Sequence, residues 1–316
     1  MADKIATREA YGNALAEFGS AYNDIVVLDA DLAEATKTCI FKKKFPERFF
    51  DCGIAENNMF GVAAGLATAG KIPFASTFAM FAAGRSFDQV RNSIGYPHLN
   101  VKICATHGGI SVGEDGATHQ CCEDMALMRT IPGMVVMNPA DAIEARCAVE
   151  AAIKYDGPVY IRFGRLPVSI INDNEDYKFQ IGKGVKLADG TDVTIVANGL
   201  MVEQALIARE ILRSEGISAA VINMHTIKPI DKELLIAEAQ QTGAIVTTEE
   251  HNIIGGLGGA VAEVLSEVCP VPVVRHGVED TFGKSGPGKE LLEYFGLNAQ
   301  GIVEKVKIAL SLKRMR

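Results

Sequence analysis

Short apolar runs alternate with longer segments of helical periodicity along most of the chain. Apolar residues recur at helical spacing over residues 9–22, and a compact apolar run follows at 25–29. The same alternation continues through apolar runs at 48–51, 73–78, 101–105, 135–138 and 159–162. The segment after the run at 73–78 predicts one helix from about residue 81 to residue 94. Strands buried on both faces have this continuous apolar character, and strict strand–helix alternation predicts parallel sheets covered by helices.

A second alternating unit begins after a polar segment. Residues 168–185 are rich in Asn, Asp, Glu and Lys, and apolar runs resume at 193–197, 219–223 and 244–248. A chain of 316 residues also exceeds one ordinary domain. The predicted fold is therefore α/β, with two doubly wound domains and mainly parallel sheets. The predicted boundaries are a first domain at 1–170, a linker at 171–188 and a second domain at 189–316.

One stretch of the first domain differs from every other predicted helix. Glu56 stands at its start, and no further charge occurs before Lys71. Residues 59–69 are apolar or small on every side, which predicts a fully buried helix that is too short to span a membrane. The helix N-terminus favours an anionic Glu56, whereas burial favours the protonated acid. A first-turn glutamate that only complements the helix dipole is the simpler interpretation of this stretch alone.

Charge and cysteine content exclude several classes of function. The net charge is -8, the pI is about 5.4, and the basic residues are scattered. This balance argues against nucleic acid or an anionic membrane as a partner. The N-terminal residues lack the apolar core of a signal peptide. Seven cysteines without a C-x-x-C motif indicate reduced thiols in a cytoplasmic protein.

Unusual residues follow four of the predicted strands in the first domain. Ligands of open parallel sheets bind outside the carboxyl ends of the strands, so these positions are candidate functional sites. One of them is a loop with four glycines that includes the candidate proton-transfer groups His107, Glu114, Asp115 and His119. A solvated turn with incidental histidines is the alternative. The spacing of the histidines carries no metal-ligand signature. The other three strand ends carry Asp31, Glu56, and the pair Phe78 and Phe81.

Several motifs resemble those of the transketolase family, in the family's order and over nearly the whole chain. The most specific is the pairing of an Ile-Ala-Glu helix start with a Gly-Glu-Asp-Gly-x-Thr-His-Gln loop. The chain is similar to the C-terminal two-thirds of a transketolase. The matching segments are Ile5-Ala-Thr-Arg8, Leu28-Asp-Ala-Asp31, Gly53-Ile-Ala-Glu-Asn-Asn-Met59, Ser76-Thr-Phe-Ala-Met-Phe81, Ala105-Thr-His107, Val112-Gly-Glu-Asp-Gly-Ala-Thr-His-Gln120, Ile131-Pro-Gly, Thr226-Ile-Lys-Pro229 and Glu249-Glu-His251.

The resemblance implies a cofactor and the residues that contact it. The family's cofactor is thiamine diphosphate, and Glu56 matches the glutamate that contacts N1′ of its aminopyrimidine ring. That carboxyl promotes the imino tautomer, which removes the proton from C2 of the thiazolium, and the cofactor then carries the carbanion chemistry. Phe78 and Phe81 match the aromatic pocket that stacks on the pyrimidine, and Asp31 matches an acid beside the cofactor. Phe87 is a weaker match that is better explained as core.

The resemblance also implies a substrate site for sugar phosphates. Arg8 and Arg165 match arginines that hold the phosphate, although Arg162 lies close enough to Arg165 to be the alternative. His107 matches a residue near the phosphate end, and Asp115 matches one that contacts a substrate hydroxyl. His119 matches a proton-transfer or hydrogen-bonding group near the reacting carbon. The family's phosphate-contacting serine falls at Ala35, which leaves the preferred sugar open.

One family motif is absent from this chain. The diphosphate and its Mg²⁺ (or Ca²⁺) are held in the family by a domain marked by Gly-Asp-Gly, and no Gly-Asp-Gly occurs here. The resemblance therefore implies a split, cytoplasmic transketolase of pentose phosphate metabolism. Its N-terminal subunit would hold the diphosphate and metal, and the assembly would be an α₂β₂ heterotetramer. The rival interpretations are the β subunit of a 2-oxoacid dehydrogenase, a relative of deoxyxylulose-phosphate synthase, and a non-catalytic assembly subunit.

A second glycine-rich stretch lies in the C-terminal half. Gly255-Gly-Leu-Gly-Gly-Ala260 follows a predicted strand but matches neither G-x-G-x-x-G nor the P-loop pattern. It predicts close backbone packing rather than a nucleotide site. His225, His251 and His276 are predicted to be structural, because the resemblance assigns no catalytic residue to this domain.

Overall fold

The chain forms two parallel-stranded sheets, one in each half, and a small third sheet. A computed structural model describes residues 4–174 and 177–315. Its strands are β1 (Lys4–Ala6), β2 (Ile25–Asp29), β3 (Phe49–Asp51), β4 (Ile72–Phe78), β5 (Lys102–Thr106), β6 (Val135–Met137), β7 (Val159–Phe163), β8 (Pro167–Ser169), β9 (Val185–Ala188), β10 (Val193–Ala197), β11 (Ala219–Asn223), β12 (Thr226–Lys228), β13 (Ile245–Asn252) and β14 (Val273–Val278).

Helices connect these strands and cover the faces of the two larger sheets. They are α1 (Thr7–Phe18), α2 (Ala33–Thr36), α3 (Cys39–Lys44), α4 (Glu56–Thr68), α5 (Asp124–Arg129), α6 (Ala142–Lys154), α7 (Met201–Ser214), α8 (Lys232–Thr242), α9 (Leu257–Val268), α10 (Gly288–Tyr294) and α11 (Ala299–Arg314). Side-chain caps start several of them, as where the Asp141 carboxylate accepts a hydrogen bond from the Glu144 amide at the start of α6.

The first sheet has the strand order β12-β6-β7-β5-β4-β2-β3. All neighbours are parallel except β12, which comes from the C-terminal half and pairs antiparallel with β6. The second sheet has the order β14-β13-β10-β11-β9, with only β9 antiparallel. The predicted α/β class with mainly parallel sheets is confirmed. The small antiparallel pair β1–β8 has no counterpart in the prediction.

The two halves share a continuous apolar core. One cluster of buried residues includes Met59 and Ile103 from the first half and Ile222 and Leu257 from the second. Strand β12 also joins the first sheet, so the halves are connected by hydrogen bonds as well as by packing. Strand β9 lies in the segment 171–188 that the sequence assigns to a linker, and Glu175 and Asp176 of that segment lie outside the described residues. The predicted domain boundaries at 1–170, 171–188 and 189–316 therefore stay a prediction.

The prediction of a single helix over 81–94 is wrong. The structure has two π-helical segments instead, Phe81–Arg85 and Gln89–Gly95, with a break between them. Periodicity could not reveal this, because a π turn adds less than one residue to each turn and leaves the apolar spacing nearly helical. The wider turn matters here because it lies beside Glu56.

The prediction that residues 59–69 form a fully buried helix is also wrong. Met59 and Ala63 are buried, but Gly61, Val62 and Gly65 on the opposite side are exposed. A Cβ added at Gly61 or Gly65 would meet nothing within 4 Å. Composition alone could not separate a helix buried on all sides from one with an exposed apolar face. Among the described residues, no helix is both long and apolar enough to cross a membrane.

Candidate active site

The carboxyl ends of the central strands bring the candidate residues of the first half to one edge of the sheet. Phe78 at the end of β4 pairs in register with Thr106 at the end of β5. Asp29 at the end of β2 pairs with both Asp51 and Ser76. His107 follows β5 directly, and the loop that contains His119 continues from it. This is the edge at which open parallel sheets bind ligands.

Glu56 is the first residue of α4, and only 2% of its side chain is exposed. Both carboxylate oxygens accept hydrogen bonds from Nη1 of Arg85, at 2.9 and 3.0 Å. The Arg85 guanidinium also lies over the Phe81 ring, 4.4 Å from its centroid. One cation thus joins the buried carboxylate to the aromatic residues predicted beside it.

Phe78 and Phe81 form the aromatic part of the site. Their rings stack with centroids 5.8 Å apart and an interplanar angle of 13°. Each ring also contacts a histidine: the His107 ring stacks on Phe78 with centroids 3.9 Å apart, and the His119 ring meets Phe81 edge-on at 5.3 Å. Glu56, both phenylalanines and both histidines therefore belong to one continuous set of contacts.

His107 is held in one orientation by neighbours on both ring nitrogens. Nε2 lies 3.1 Å from Nη1 of Arg8, and Nδ1 lies 2.8 Å from the Thr106 hydroxyl. Because arginine only donates, Nε2 must accept and Nδ1 must carry the proton of the neutral ring. Burial, together with the charges of Arg8 and Arg165, lowers the pKa of His107 to about 3. His107 is therefore a neutral imidazole across the physiological pH range.

Substituting His107 by asparagine should make the protein less sensitive to acid. A histidine whose folded pKa is depressed gives stability that is present above its unfolded pKa of 6.5 and lost as the pH falls toward 3. Wild type should lose roughly 3 kcal/mol more than His107→Asn between pH 7 and pH 4, measured by urea unfolding. Asparagine also tolerates the left-handed backbone at this position, where φ is 57°.

His98→Asn is the matched control for that experiment. His98 is an exposed histidine with a similar φ of 55°. The control should lose as much stability on acidification as wild type. An equal loss in His107→Asn and wild type would contradict the neutral, buried state of His107.

Arg8 connects His107 to the loop that follows β2. Its Nη1 donates to the Ala35 carbonyl at 2.8 Å as well as facing His107. Its Nε is buried and has no hydrogen-bond partner among the described residues. Burial and the nearby charge of Arg165 lower the pKa of Arg8. Two cations beside an unsatisfied donor form a site suited to an anion.

The adjacent Thr36 does not replace the serine that the family carries at position 35. Its hydroxyl donates to the buried Asp29 carboxylate at 2.7 Å, as does that of Thr38 at 2.8 Å. Burial raises the pKa of Asp29 to about 6, although these hydrogen bonds oppose the rise. Asp29 therefore orders the loop, and Ala35 presents only its backbone and methyl group.

The two arginines at the end of β7 have different environments. Arg162 is buried, pairs with Asp124 at 3.1 Å, and donates to the carbonyls of Glu250 and Cys121 at 2.8 and 2.9 Å. Arg165 is partly exposed, pairs with Glu114 at 3.0 Å and contacts the Val112 carbonyl. Arg165 is the one that remains accessible to a ligand, and Arg162 supports the structure.

Asp31 and Asp115 are both exposed at the rim of the site. Asp31 has a left-handed backbone, with φ of 60°, and its amide donates to the Asp51 carboxylate at 3.2 Å. Asp115 lies at the tip of the glycine-rich loop between the left-handed Gly113 and Gly116. Neither carboxylate is brought into the aromatic cluster by this chain alone.

Residues that the sequence analysis did not predict also shape the site. Arg85 is the main omission, and its position four residues after Phe81 was the available signal. Glu250, from β13 of the C-terminal half, accepts a hydrogen bond from the Ser111 amide at 2.5 Å. A Cβ at Gly109 would lie 2.4 Å from the Glu250 carboxyl carbon, so glycine is required for this approach. No local sequence signal links Glu250 to a loop 139 residues earlier.

The second glycine-rich stretch packs as predicted. The Glu249 carboxylate accepts hydrogen bonds from the amides of Leu257 and Gly258, at 2.7 and 2.8 Å, at the start of α9. A Cβ at Gly256 would lie 2.1 Å from the same carboxylate. These amides are therefore engaged within the chain. The C-terminal histidines are buried in structural contacts, namely His225, His251 and His276.

A cleft of about 580 Å³ is lined by residues of both halves. Its lining includes Met80 and Thr118 from the first half and Asn252 and Phe282 from the second. Phe282 is 84% exposed. Within residues 4–174 and 177–315, no group of three His, Cys, Asp or Glu side chains is placed to hold a metal ion.

The sequence of this chain matches two known protein-family domains. The transketolase pyrimidine binding domain matches residues 3–169, and the transketolase C-terminal domain matches residues 182–302. The chain belongs to the transketolase family. Its two halves are the family's pyrimidine-binding and C-terminal domains, as the resemblance implied.

Relatives of this transketolase-family chain include proteins described as a transketolase section or subunit. It is 52% identical to a putative transketolase C-terminal section of Methanocaldococcus jannaschii, over 95% of this chain and 94% of that one. It is 46% identical to the 6-deoxy-6-sulfo-D-fructose transketolase subunit SqwH of a Clostridium species, over 98% of this chain and 96% of that one. A solved split-gene transketolase, described as an inactive beta4 tetramer, superposes with a TM-score of 0.91 at 57% identity, covering 99% of this chain and all of that one.

Proposed function

We propose that this chain is the C-terminal subunit of a split, thiamine-diphosphate-dependent transketolase that transfers a two-carbon ketol unit from a ketose phosphate to an aldose phosphate. The observation that carries the proposal is the continuous contact from Glu56 through Phe81 and Phe78 to His107 and Arg8. It links groups suited to a cofactor ring with groups suited to a sugar phosphate.

The residues present fit the pyrimidine half of the cofactor. A flat aminopyrimidine needs an aromatic surface and a carboxyl group, and the stacked phenylalanines and the buried Glu56 are of those types. When bound, thiamine diphosphate supplies a stabilised carbanion that a sugar carbonyl cannot form by itself. Glu56 would hold a proton at N1′, while Phe78 and Phe81 would orient the ring and exclude water. Asp31 would lie at the rim beside it.

The substrate would lie on the histidine side of the aromatic pair. Arg8 and Arg165, with neutral His107 as a further hydrogen-bonding group, would bind the terminal phosphate, and the unsatisfied Nε of Arg8 supports an anion there. His119, at the edge of Phe81, would move or hold a proton near the reacting carbon. Asp115 would accept a hydrogen bond from a sugar hydroxyl.

The diphosphate and its Mg²⁺ would be held by a separate N-terminal subunit, in an α₂β₂ heterotetramer of the cytoplasm. The exposed glycine face of α4 supports contact with another chain, because apolar exposed surface of this kind is covered in assemblies. The relative described as an inactive beta4 tetramer supports the expectation that this chain alone lacks activity.

Reconstitution tests the proposed function. This chain is mixed with an N-terminal transketolase subunit that carries Gly-Asp-Gly, together with thiamine diphosphate, Mg²⁺, a ketose phosphate and an aldose phosphate. Ketol transfer should require both chains, and either chain alone should give only background. A sulfo-sugar donor, prompted by the relative named for one, tests whether the terminal anion is a phosphate. Absence of transfer across a panel of phosphorylated and sulfonated donors would overturn the proposal.

A further inference from the structure

Arg85 contacts the two groups that the proposed cofactor ring would contact. Its Nη1 donates to both oxygens of the Glu56 carboxylate, and its guanidinium covers the Phe81 ring. The same side chain cannot remain in both contacts while a flat ring lies on Phe81 and reaches Glu56. Arg85 and an aminopyrimidine therefore compete for one carboxylate and one aromatic surface.

The pair also has a role before any ring is bound. A buried carboxylate without a partner is destabilising, and Glu56 is 2% exposed. Arg85 supplies the partner charge, so the empty pocket does not contain an isolated buried anion. The Arg85 side chain is itself 49% exposed, so its guanidinium can leave toward solvent without losing a buried position.

We infer that Arg85 is a gate on the cofactor pocket: it occupies Glu56 and Phe81 in the cofactor-free chain and swings out when the pyrimidine enters. The inference rests on the proposed function, because it takes the ring that displaces Arg85 to be an aminopyrimidine. The π-helical segment Phe81–Arg85 carries both the stacking residue and the gate. The Arg85–Glu56 ion pair must therefore break before the cofactor ring can enter the pocket.

The gate predicts faster cofactor binding when Arg85 is removed. Arg85→Met keeps an apolar contact on Phe81 and removes the charge. In the reconstituted complex, the association rate constant for thiamine diphosphate with Mg²⁺, followed by stopped-flow circular dichroism, should rise about fivefold. That factor corresponds to one partly exposed ion pair that no longer has to be broken. Arg85→Lys, which retains a single point charge, should fall between Arg85→Met and wild type.

Arg91→Met is the matched control, because loss of any positive charge weakens attraction of the anionic diphosphate. Arg91 is exposed, lies in the next π-helical segment and contacts Asn92 rather than Glu56. Removal of Arg91 should leave the association rate constant unchanged or lower it. Only Arg85→Met should therefore raise the rate constant above that of wild type. A rate constant in Arg85→Met no higher than in Arg91→Met would overturn the gate.

A second measurement does not depend on the cofactor. In the isolated chain, a double-mutant cycle of Glu56→Gln and Arg85→Met by urea unfolding should give a coupling of about fivefold in the unfolding equilibrium constant. Zero coupling would overturn the ion pair and the gate with it. Failure of the wild-type complex to bind thiamine diphosphate would instead overturn the proposed function. Normal binding and turnover by wild type, without acceleration in Arg85→Met, would overturn only the gate.

Discussion

Glu56→Ala is expected to abolish ketol transfer while the protein stays folded. Under the proposed function, Glu56 holds the proton at the pyrimidine, and a methyl group can neither hold nor release it. The fall in kcat should be at least about a thousandfold, near the upper range for loss of a proton-transfer group. The free energy of unfolding should change by no more than about 1 kcal/mol, because the partner Arg85 is half exposed.

Two further variants separate the chemistry of Glu56 from its packing. Glu56→Gln retains the shape and a hydrogen bond to Arg85 but not the ionisable group, and it should lose nearly as much activity as Glu56→Ala. Glu47→Ala removes an exposed glutamate of the same half and should leave kcat unchanged. Circular dichroism and urea unfolding check the fold of each. Near-normal turnover in Glu56→Ala would rule out the proposed role of this residue.

Arg162→Met is expected to destabilise the protein strongly. Arg162 pairs with the buried Asp124 and donates to two backbone carbonyls, one of them in the C-terminal half. Its removal leaves Asp124 and the neighbouring Glu250 as buried carboxylates without a cation. Loss of one partner of such a buried pair costs about 3–5 kcal/mol, measured by urea unfolding. Adding Asp124→Asn should restore part of this loss.

Arg165→Met is the counterpart that tests binding rather than stability. Its side chain is 34% exposed, so the free energy of unfolding should change little. Under the proposed function, the KM for the sugar phosphate should rise about tenfold or more, because Arg165 would no longer supply charge-assisted hydrogen bonds to the phosphate. A stable Arg162→Met protein with a raised KM, together with an unchanged KM in Arg165→Met, would exchange the roles of the two arginines.

The candidate site could be predicted only in part from the sequence. The strand ends were predictable, because short apolar runs between helical segments mark buried parallel strands, whose carboxyl ends share one edge. Phe78, His107 and Glu56 were therefore expected near one another. The contacts of Asp31 and Asp115 were not predictable, since both lie exposed at the rim of this chain.

Most of the features that the sequence did not predict depend on contacts between distant segments. Arg85, at the end of a π-helical segment, contacts Glu56 from 29 residues away in the sequence. The apolar spacing hardly changes when π-helical segments replace a regular helix, so periodicity could not indicate this geometry. Glu250 supports the histidine loop through a backbone amide, which carries no side-chain signature. Composition predicts a buried α4 because glycine and alanine fit a closely packed interior, but they fit an exposed surface equally well.

The sequence by itself determined the α/β class, the order of most of the parallel strands along the chain and the family to which the chain belongs, because these depend on local periodicity and on contiguous motifs. Only the tertiary structure decided which arginine is buried, which atom of His107 carries the proton, and which cation occupies Glu56. Burial and hydrogen-bond partners are set by side chains that meet from separate segments. Their identities are written in the sequence, but their distances arise only when the sheet has formed.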